Sequence, residues 1–541
     1  MAVALLVVAP LLVLPLSFVT EPGARGRLSG DLLPESLRAS LVLALGVGAG
    51  TLVLGAALAL LVSFYDFPGR RWLDWALVLP LAMPGYVLVF VLLGQYDASS
   101  PLQETLRDVF GSGFQLPEIR STAGTIAVLS LVLYPYVYAL ARAAFLGQSR
   151  DLMEAARGLG SSYARTILRV AVPMARPALA AGVALAMMEA LADFGTVNLL
   201  GYRAMTDAVY RVWYGAYDQA AALQLATVLV SLSLGLVVLE RLLRGRARYL
   251  GALSRGEAVV PKRLGPLAGA FALALPALLL TVVLVAPTLQ LIVWSVESLD
   301  EGAALRDLAE AAVLTVLLAA IAALLAVAAA TLIVYARRRR PTRSARAAVR
   351  LGALGYAVPG TVVAVAVFVP LAWVDRRVND AAEALLGLDL GLLITGSVLG
   401  LVAAYVVRFQ ALAILSVDAR MARLDPSLDD AARSLGAGPG RLLSDVHLPL
   451  LGPGLATAAL LVFVEVMKEL PATALLRPLG GDTLAIAVWE ATKDSRFDTA
   501  ALPALLIVIV GLVPVVIMMR LARTLALERR APDAGPDGDL A

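Results

Sequence analysis

Apolar stretches long enough to cross a bilayer recur along the whole chain, separated by short polar loops. A helix needs about 20 apolar residues to span the hydrocarbon core. About twelve segments meet that length by this criterion: 3–20, 38–65, 72–95, 122–146, 177–200 and 222–243, then 267–296, 309–336, 351–374, 392–416, 452–476 and 500–521. The expected fold class is therefore all-α, a polytopic membrane protein of about twelve helices. Basic residues gather in every second loop, among them Arg70, Arg71, Arg142, Arg150, Arg241, Arg244 and the RRRRPTRSAR run from Arg337. The opposite loops are mixed or acidic, as in TEPGARGRLSGDLLPES and SVESLDEGAALRDLAE. The positive-inside rule then places both termini in the cytoplasm.

The chain also repeats itself. Pro84-Gly85 in LAMPGYVLVF matches Pro359-Gly360 in YAVPGTVVAV, and Glu154-Ala155-Ala156-Arg157 matches Asp430-Ala431-Ala432-Arg433, 276 residues on. The same separation relates Gly160 to Gly436, Pro173 to Pro449, Glu189 to Glu465, Asp193 to Glu469 and Trp213 to Trp489. An even number of spans per half makes the repeat parallel. The expected organisation is a first transmembrane domain (1–243), a basic linker (244–264), a second transmembrane domain (265–523) and a disordered cytoplasmic tail (524–541). Val8-Ala9-Pro10 matches Val285-Ala286-Pro287, but the second half carries a further apolar stretch and a basic lead before that point. The first span reads as an anchor that starts late, with a true start upstream, rather than as a cleaved signal peptide.

Composition narrows the chemistry. The 541 residues are 60% hydrophobic and 16% charged, against roughly 25% charged in a soluble protein. With no cysteine and one histidine, disulfides, thiolate metal sites and the usual His-based centres are excluded. The net charge of +4 is small, and the RRRR run at a helix end reads as a topogenic anchor rather than a nucleic-acid patch.

Two polar stretches interrupt this apolar pattern. DLMEAARGLGSSYARTILRVAVPMARPAL from Asp151 has a near-copy, SLDDAARSLGAGPGRLLSDVHLPLLGPGL, from Ser427. Asp151 with Glu154, and Ser427 with Asp430, have the spacing of a capping box. Leu152, Ala155, Ala156 and Leu159 fall on one broad face, thin enough for another surface to approach. Gly160 and Gly436 supply αL stops, and new helices start after Ser162 and at Pro439. One such element is an ordinary amphipathic loop on lipid headgroups. Two matched copies on one face call for a partner with two equivalent grooves.

EAARGLG…VAVPMARPAL and DDAARSLG…VHLPLLGPGL resemble the EAA loop of the permease subunits of ABC importers. Asp430 for the first glutamate and Ser434 at the position of Gly158 are mild departures. The resemblance covers essentially the whole chain and implies the type I importer permease fold in a bacterial inner membrane. It also implies coupling helices at Glu154, Ala155, Ala156 and Gly160, and at Asp430, Ala431, Ala432 and Gly436. The partners implied are two ATP-binding subunits, as a homodimer, and an extracytoplasmic substrate-binding protein. ATP and Mg would be bound by the partner ATPase, and no cofactor by this chain, which has no G-x-x-x-x-G-K-[ST] loop. ADFGTVNLLG from Ala192, KELPATALLRPLGGDTLAIAVWEA from Lys468 and LAMPGYVL look like the fused permeases of ferric-iron importers. Permeases for thiamine, phosphonates and related solutes are close relatives.

Glu189 with Asp193, and Glu465 with Glu469, each share a helix face. Charges are costly at membrane depth, so these acids should face the bundle interior. They either line a pathway suited to a hard cation, or pair with Lys468, Arg477 or Arg203 or cap neighbouring helices. His447 is expected to be a packing residue rather than a metal ligand. The tryptophans of YRVWYGAYD and VWEATKDSRFD are expected as interfacial anchors, in a loop that could also meet a binding protein. An ion-driven secondary transporter with parallel halves would explain the acids but not the paired polar stretches. An intramembrane enzyme lacks candidate residues.

Overall fold

The computed structural model describes residues 2–20, 30–97, 100–244, 260–299, 304–353, 355 and 358–528. Among these, nine helices are long and apolar enough to cross a membrane: Leu32–Phe64, Thr122–Leu146, Tyr163–Ala192, Gln219–Leu242, Pro266–Ser298, Arg306–Arg339, Val398–Met421, Pro439–Met467 and Phe497–Ile517. A further apolar pair, Arg70–Ala82 and Gly85–Gln95, meets at 88°, the geometry of a broken span or a re-entrant loop. The expected twelve is thus not reached by length and composition. The segment near 3–20 contributes the shorter apolar helix Ala9–Thr20. The segment near 351–374 belongs to Gly360–Leu386, whose second half, WVDRRVNDAAEALL, is too polar for a span.

Two other segments are displaced. Expected at 177–200 and 452–476, they run Tyr163–Ala192 and Pro439–Met467, taking in the polar stretch that precedes each. Hydropathy sees only the apolar part of such a helix, whereas its start is set by a cap. Pro173 and Pro449 cannot donate to the preceding turn, and i→i+5 turns precede each of them, at Ile167–Ala171 and Leu442–His447. The helices continue unbroken through both prolines.

The two halves embrace. Ala2–Thr20 packs on Gly360–Leu386 of the second half, while Ala286–Leu299 packs on Gly85–Gln95 of the first. Trp294 meets Phe90 edge-on at 5.6 Å in the second of these contacts. Of the expected linker, residues 245–259 lie outside the described residues. Its end returns to the first half, where Lys262–Arg263 pairs in parallel with Tyr65–Asp66. The expected disordered tail lies, beyond Glu528, outside the described residues too.

Small residues set the closest helix approaches, as is usual in membranes. A Cβ on Gly182 would sit 2.7 Å from Val137 Cα, and one on Gly55 2.7 Å from Val137 Cβ and 2.9 Å from the Tyr134 carbonyl oxygen. Leu32–Phe64 and Tyr163–Ala192 therefore both lean on Thr122–Leu146 at one residue. Gly182→Leu should destabilise the protein by about 1–3 kcal/mol through overpacking, read as a lower Tm in detergent. Gly235→Ala, with open space around it, should not lower the Tm, since alanine is the better helix former.

Candidate docking helices and translocation site

The two polar stretches form matched short helices, Arg150–Gly158 and Pro426–Ser434. Their caps are not the expected ones. Ser149 Oγ accepts from Leu152 N–H at 3.4 Å, and Asp425 Oδ1 accepts from Ser427 N–H at 2.8 Å. Asp151 and Ser427 lie inside the first turns instead, and Glu154 and Asp430 are the fifth residues of their helices. Glu154 pairs with Arg150 at 2.6 Å and Asp430 with Arg433 at 2.7 Å. The capping-box reading started each helix two residues late. The stops are where the glycines predict them: Gly160 and Gly436 have φ of 84° and 80°. In both copies the last turn closes with a Schellman pair, Gly160 N–H to Arg157 O and Ser161 N–H to Ala156 O, then Gly436 N–H to Arg433 O and Ala437 N–H to Ala432 O. Ser162 caps the next helix in the first copy, and Pro439 occupies the first position in the second.

Burial along these helices repeats residue by residue. Leu152 and Leu428 are 39% and 40% exposed, and Leu159 and Leu435 are 91% and 88% exposed. Only Met153 and Asp429 are buried. Each helix therefore turns one residue inward and presents its apolar Leu-Ala-Ala-Leu face outward.

Further along, both spans break at an acid. The helix ending at Ala192 gives way to Gly195–Leu199, and the one ending at Met467 to Pro471–Leu476. Asp193 caps the first of these short helices, accepting from the N–H groups of Thr196 (2.8 Å) and Val197 (3.3 Å) and from Thr196 Oγ1 (2.9 Å). Glu469 caps the second through Ala472 N–H at 2.9 Å and pairs with Arg408 at 2.6 Å. Glu465 pairs with Lys468 at 2.8 Å. The other two cations proposed as partners are engaged elsewhere, Arg477 with Asp482 and Glu490, and Arg203 with Glu35. All four acids nevertheless line one cavity of about 120 Å³, together with Arg408, Lys468 and Tyr86. Among the described residues no three acids or histidines converge closely enough to hold a metal.

Arg408 was not among the residues expected here, although an arginine within the apolar run 392–416 is itself a signal. The Pro-Gly pairs also belong to this site. A Cβ on Gly85 would run into Thr196 Oγ1 and lie 3.3 Å from Asp193 Oδ2. One on Gly360 would run into Arg408 and lie 2.7 Å from Glu469 Oε1. Each Pro-Gly turn thus lets its backbone lie directly against a capping acid.

The family model for the inner membrane component of binding-protein-dependent transport systems matches the chain twice, over residues 51–248 and 322–530. The chain belongs to this family. The permease is 26% identical to the Fe(3+)-transport system permease protein FbpB 2 of Haemophilus influenzae over 496 residues, which cover 91% of this chain and 90% of that one. It is 30% identical over 261 residues to the putative 2-aminoethylphosphonate transport system permease protein PhnU of Salmonella choleraesuis, covering 45% of this chain and 90% of that one. With the molybdate/tungstate transport system permease protein WtpB of Thermococcus kodakarensis it shares 28% identity over 213 residues, 39% of this chain and 79% of that one.

Beside the cavity the permease's two halves lock together. A Cβ on Gly195 would lie 2.7 Å from the Leu470 side chain. Trp489 Nε1 donates to Asn198 Oδ1 at 3.0 Å, and Asn198 in turn donates to Asp207 at 2.9 Å. Tyr214 donates its hydroxyl to the Leu475 carbonyl at 3.0 Å. Trp213 and Trp489 are 7% and 3% exposed, so they are packed between the halves and are not interfacial anchors.

The RRRR run also makes specific ion pairs. Arg337 pairs with Asp418, and Arg338 with Asp429 at 2.9 Å. His447, buried as a packing residue would be, bonds Asp429 through Nε2 at 2.8 Å. Burial alone would raise the Asp429 carboxyl, but its hydrogen bonds with Arg338 and His447 outweigh that and hold it below the ordinary aspartate value. Its stabilisation is therefore complete above the ordinary aspartate range and is lost as pH falls through the lower folded value.

Removing Arg408 alone leaves Glu469 buried without its counter-charge, which costs about 3–5 kcal/mol for pairs of this kind. Arg408→Leu should lower the detergent Tm sharply, and Arg408→Leu with Glu469→Gln should recover part of the loss. Equal Tm values for the single and double variants would contradict this pairing.

Proposed function

We propose that the chain is the membrane-spanning subunit of an ATP-driven, binding-protein-dependent importer. On this reading Arg150–Gly158 and Pro426–Ser434 dock two ATPase subunits on the cytoplasmic side. The observation that carries it is the matched exposure of Leu152 with Leu428 and of Leu159 with Leu435. Leucines this exposed, held in register on two matched helix–Schellman units, suit a docking contact. ATP hydrolysis occurs on the partner, and its cycle rocks the halves to open the acid-lined cavity alternately to each side. An ion-driven secondary transporter has no use for two such helices. Leu159→Asp or Leu435→Asp should cut binding-protein-stimulated ATP hydrolysis at least about tenfold, the loss of roughly 1.4 kcal/mol or more, while the permease keeps its Tm.

The substrate proposed is ferric iron. Two features support it: the likeness to an Fe(3+) permease over nearly the full length of both chains, and a cavity whose four carboxylates outnumber its two cations. Carboxylate oxygens suit a hard cation. In proteoliposomes holding the permease and its ATPase, the ferric-loaded binding protein should stimulate ATP hydrolysis, and Glu189→Gln with Glu465→Gln should reduce transport. Stimulation only by a binding protein loaded with phosphonate, thiamine or molybdate would replace the substrate. Undiminished transport by both acid variants would remove these acids from the pathway.

A further inference from the structure

The two docking helices match in sequence, caps, stops and exposure, yet the single residue that each turns inward differs completely. In the first it is Met153, 3% exposed, packed in an apolar cluster that includes Phe145, Ile167 and Ala171. In the second it is Asp429, 6% exposed. Asp429 accepts from Arg338 Nε at 2.9 Å and Nη2 at 3.2 Å, and bonds His447 Nε2 at 2.8 Å. Arg338 spends its remaining donors on the carbonyl oxygens of Met421, Leu424 and Asp425, at 2.9, 2.9 and 3.2 Å. One guanidinium thus joins the end of Ala304–Arg339, the end of Val398–Met421 and the cap of the docking helix. His447 stands where the first half has Ala171 and brings in the next span. Its ring meets Tyr335 edge-on at 5.4 Å, and the Tyr335 hydroxyl donates to Pro439 O at 2.7 Å.

Apolar packing is non-directional and lets a helix shift and re-pack. A forked guanidinium on a carboxylate fixes both distance and angle, and a buried charge that loses its partner has nothing to replace it. We infer that the two docking helices are fastened unequally, with Arg338, Asp429 and His447 acting as positioning residues that make the second helix the stiff link between ATPase and pathway and leave the first compliant. This rests on the docking reading above. A stroke delivered equally to both helices then moves the second half as one body, while part of the motion at the first is absorbed at Met153.

The test uses the full complex of permease, ATPase and loaded binding protein in proteoliposomes. Hydrogen exchange over Pro426–Ser434 should be at least about tenfold slower than over Arg150–Gly158 once corrected for intrinsic rates, a ratio that corresponds to about 1.4 kcal/mol, and Asp429→Asn should remove the difference. Asp429→Asn should also lower substrate moved per ATP hydrolysed about fivefold or more, a loss of roughly 1 kcal/mol of coupling, with the ATPase still bound. Met153→Leu should leave that ratio within about twofold, since volume-conserving apolar swaps are well tolerated. Should Asp429→Asn not fold, the triple variant Arg338→Leu, Asp429→Met, His447→Ala rebuilds the first half's chemistry with no buried charge, and it should show the same loss of coupling. Equal exchange in the two helices, or equal effects of the Asp429 and Met153 variants, overturns the inference and leaves docking intact. ATPase binding that survives Leu159→Asp and Leu435→Asp together overturns the docking reading, and the inference with it.

Discussion

A carboxylate placed where a membrane helix breaks holds this structure together. Inside a bilayer no water is at hand for a helix end, so every freed N–H must find a partner within the protein. Asp193 supplies one in the first half and Glu469 in the second. Each lets a long span stop, turn and restart as a short helix at the place where the halves meet. The rest of the site follows. Gly85 and Gly360 must be bare of side chains for the two Pro-Gly turns to lie against these acids. Arg408 must balance the more deeply buried of the two, at 4% exposure for Glu469. The cavity is the space left between the two capped breaks and their Pro-Gly partners.

The same acids therefore have two tasks in tension. As caps and ion-pair members they fix the contact of Gly195 with Leu470, and on the proposed reading they also serve as oxygen donors to a passing cation. A permease that alternates its access can use one group for both, because the contact that seals the pathway must loosen when substrate passes. Glu465 is paired with Lys468 and Glu469 with Arg408, and no set of three acids in the described residues closes on a metal.

Much of this was legible in the sequence, and the reasons are local. The spacing repeated at 276 residues fixed the two halves, and glycine's tolerance of positive φ placed the stops at Gly160 and Gly436. The acids at 189, 193, 465 and 469 stood out because charge is rare in apolar runs. What escaped depended on contacts between distant segments. Ser149 and Asp425 cap instead of Asp151 and Ser427 because the extended backbone sits at those two residues and the chain is already helical at Arg150 and Pro426, which no spacing rule reports. Arg408 finds Glu469 across 61 residues, and Arg338 finds Asp429 across 91. The tryptophans matched a rule for interfacial anchors, but the contact between the halves buried them. Counting spans by apolar length failed where a helix carries a polar half, as in Gly360–Leu386.

The central claim is that two matched helices on this permease receive two ATPase subunits. The chain has no cysteine, so a thiol introduced at Leu159 or at Leu435 reports from that position alone. Each would carry a short photo-activated cross-linker in the assembled complex, with a thiol at the open position Gly235 as control. The account predicts that both positions, and not the control, join covalently to the ATPase. Cross-linking of both only to lipid, or of one helix only, would contradict it.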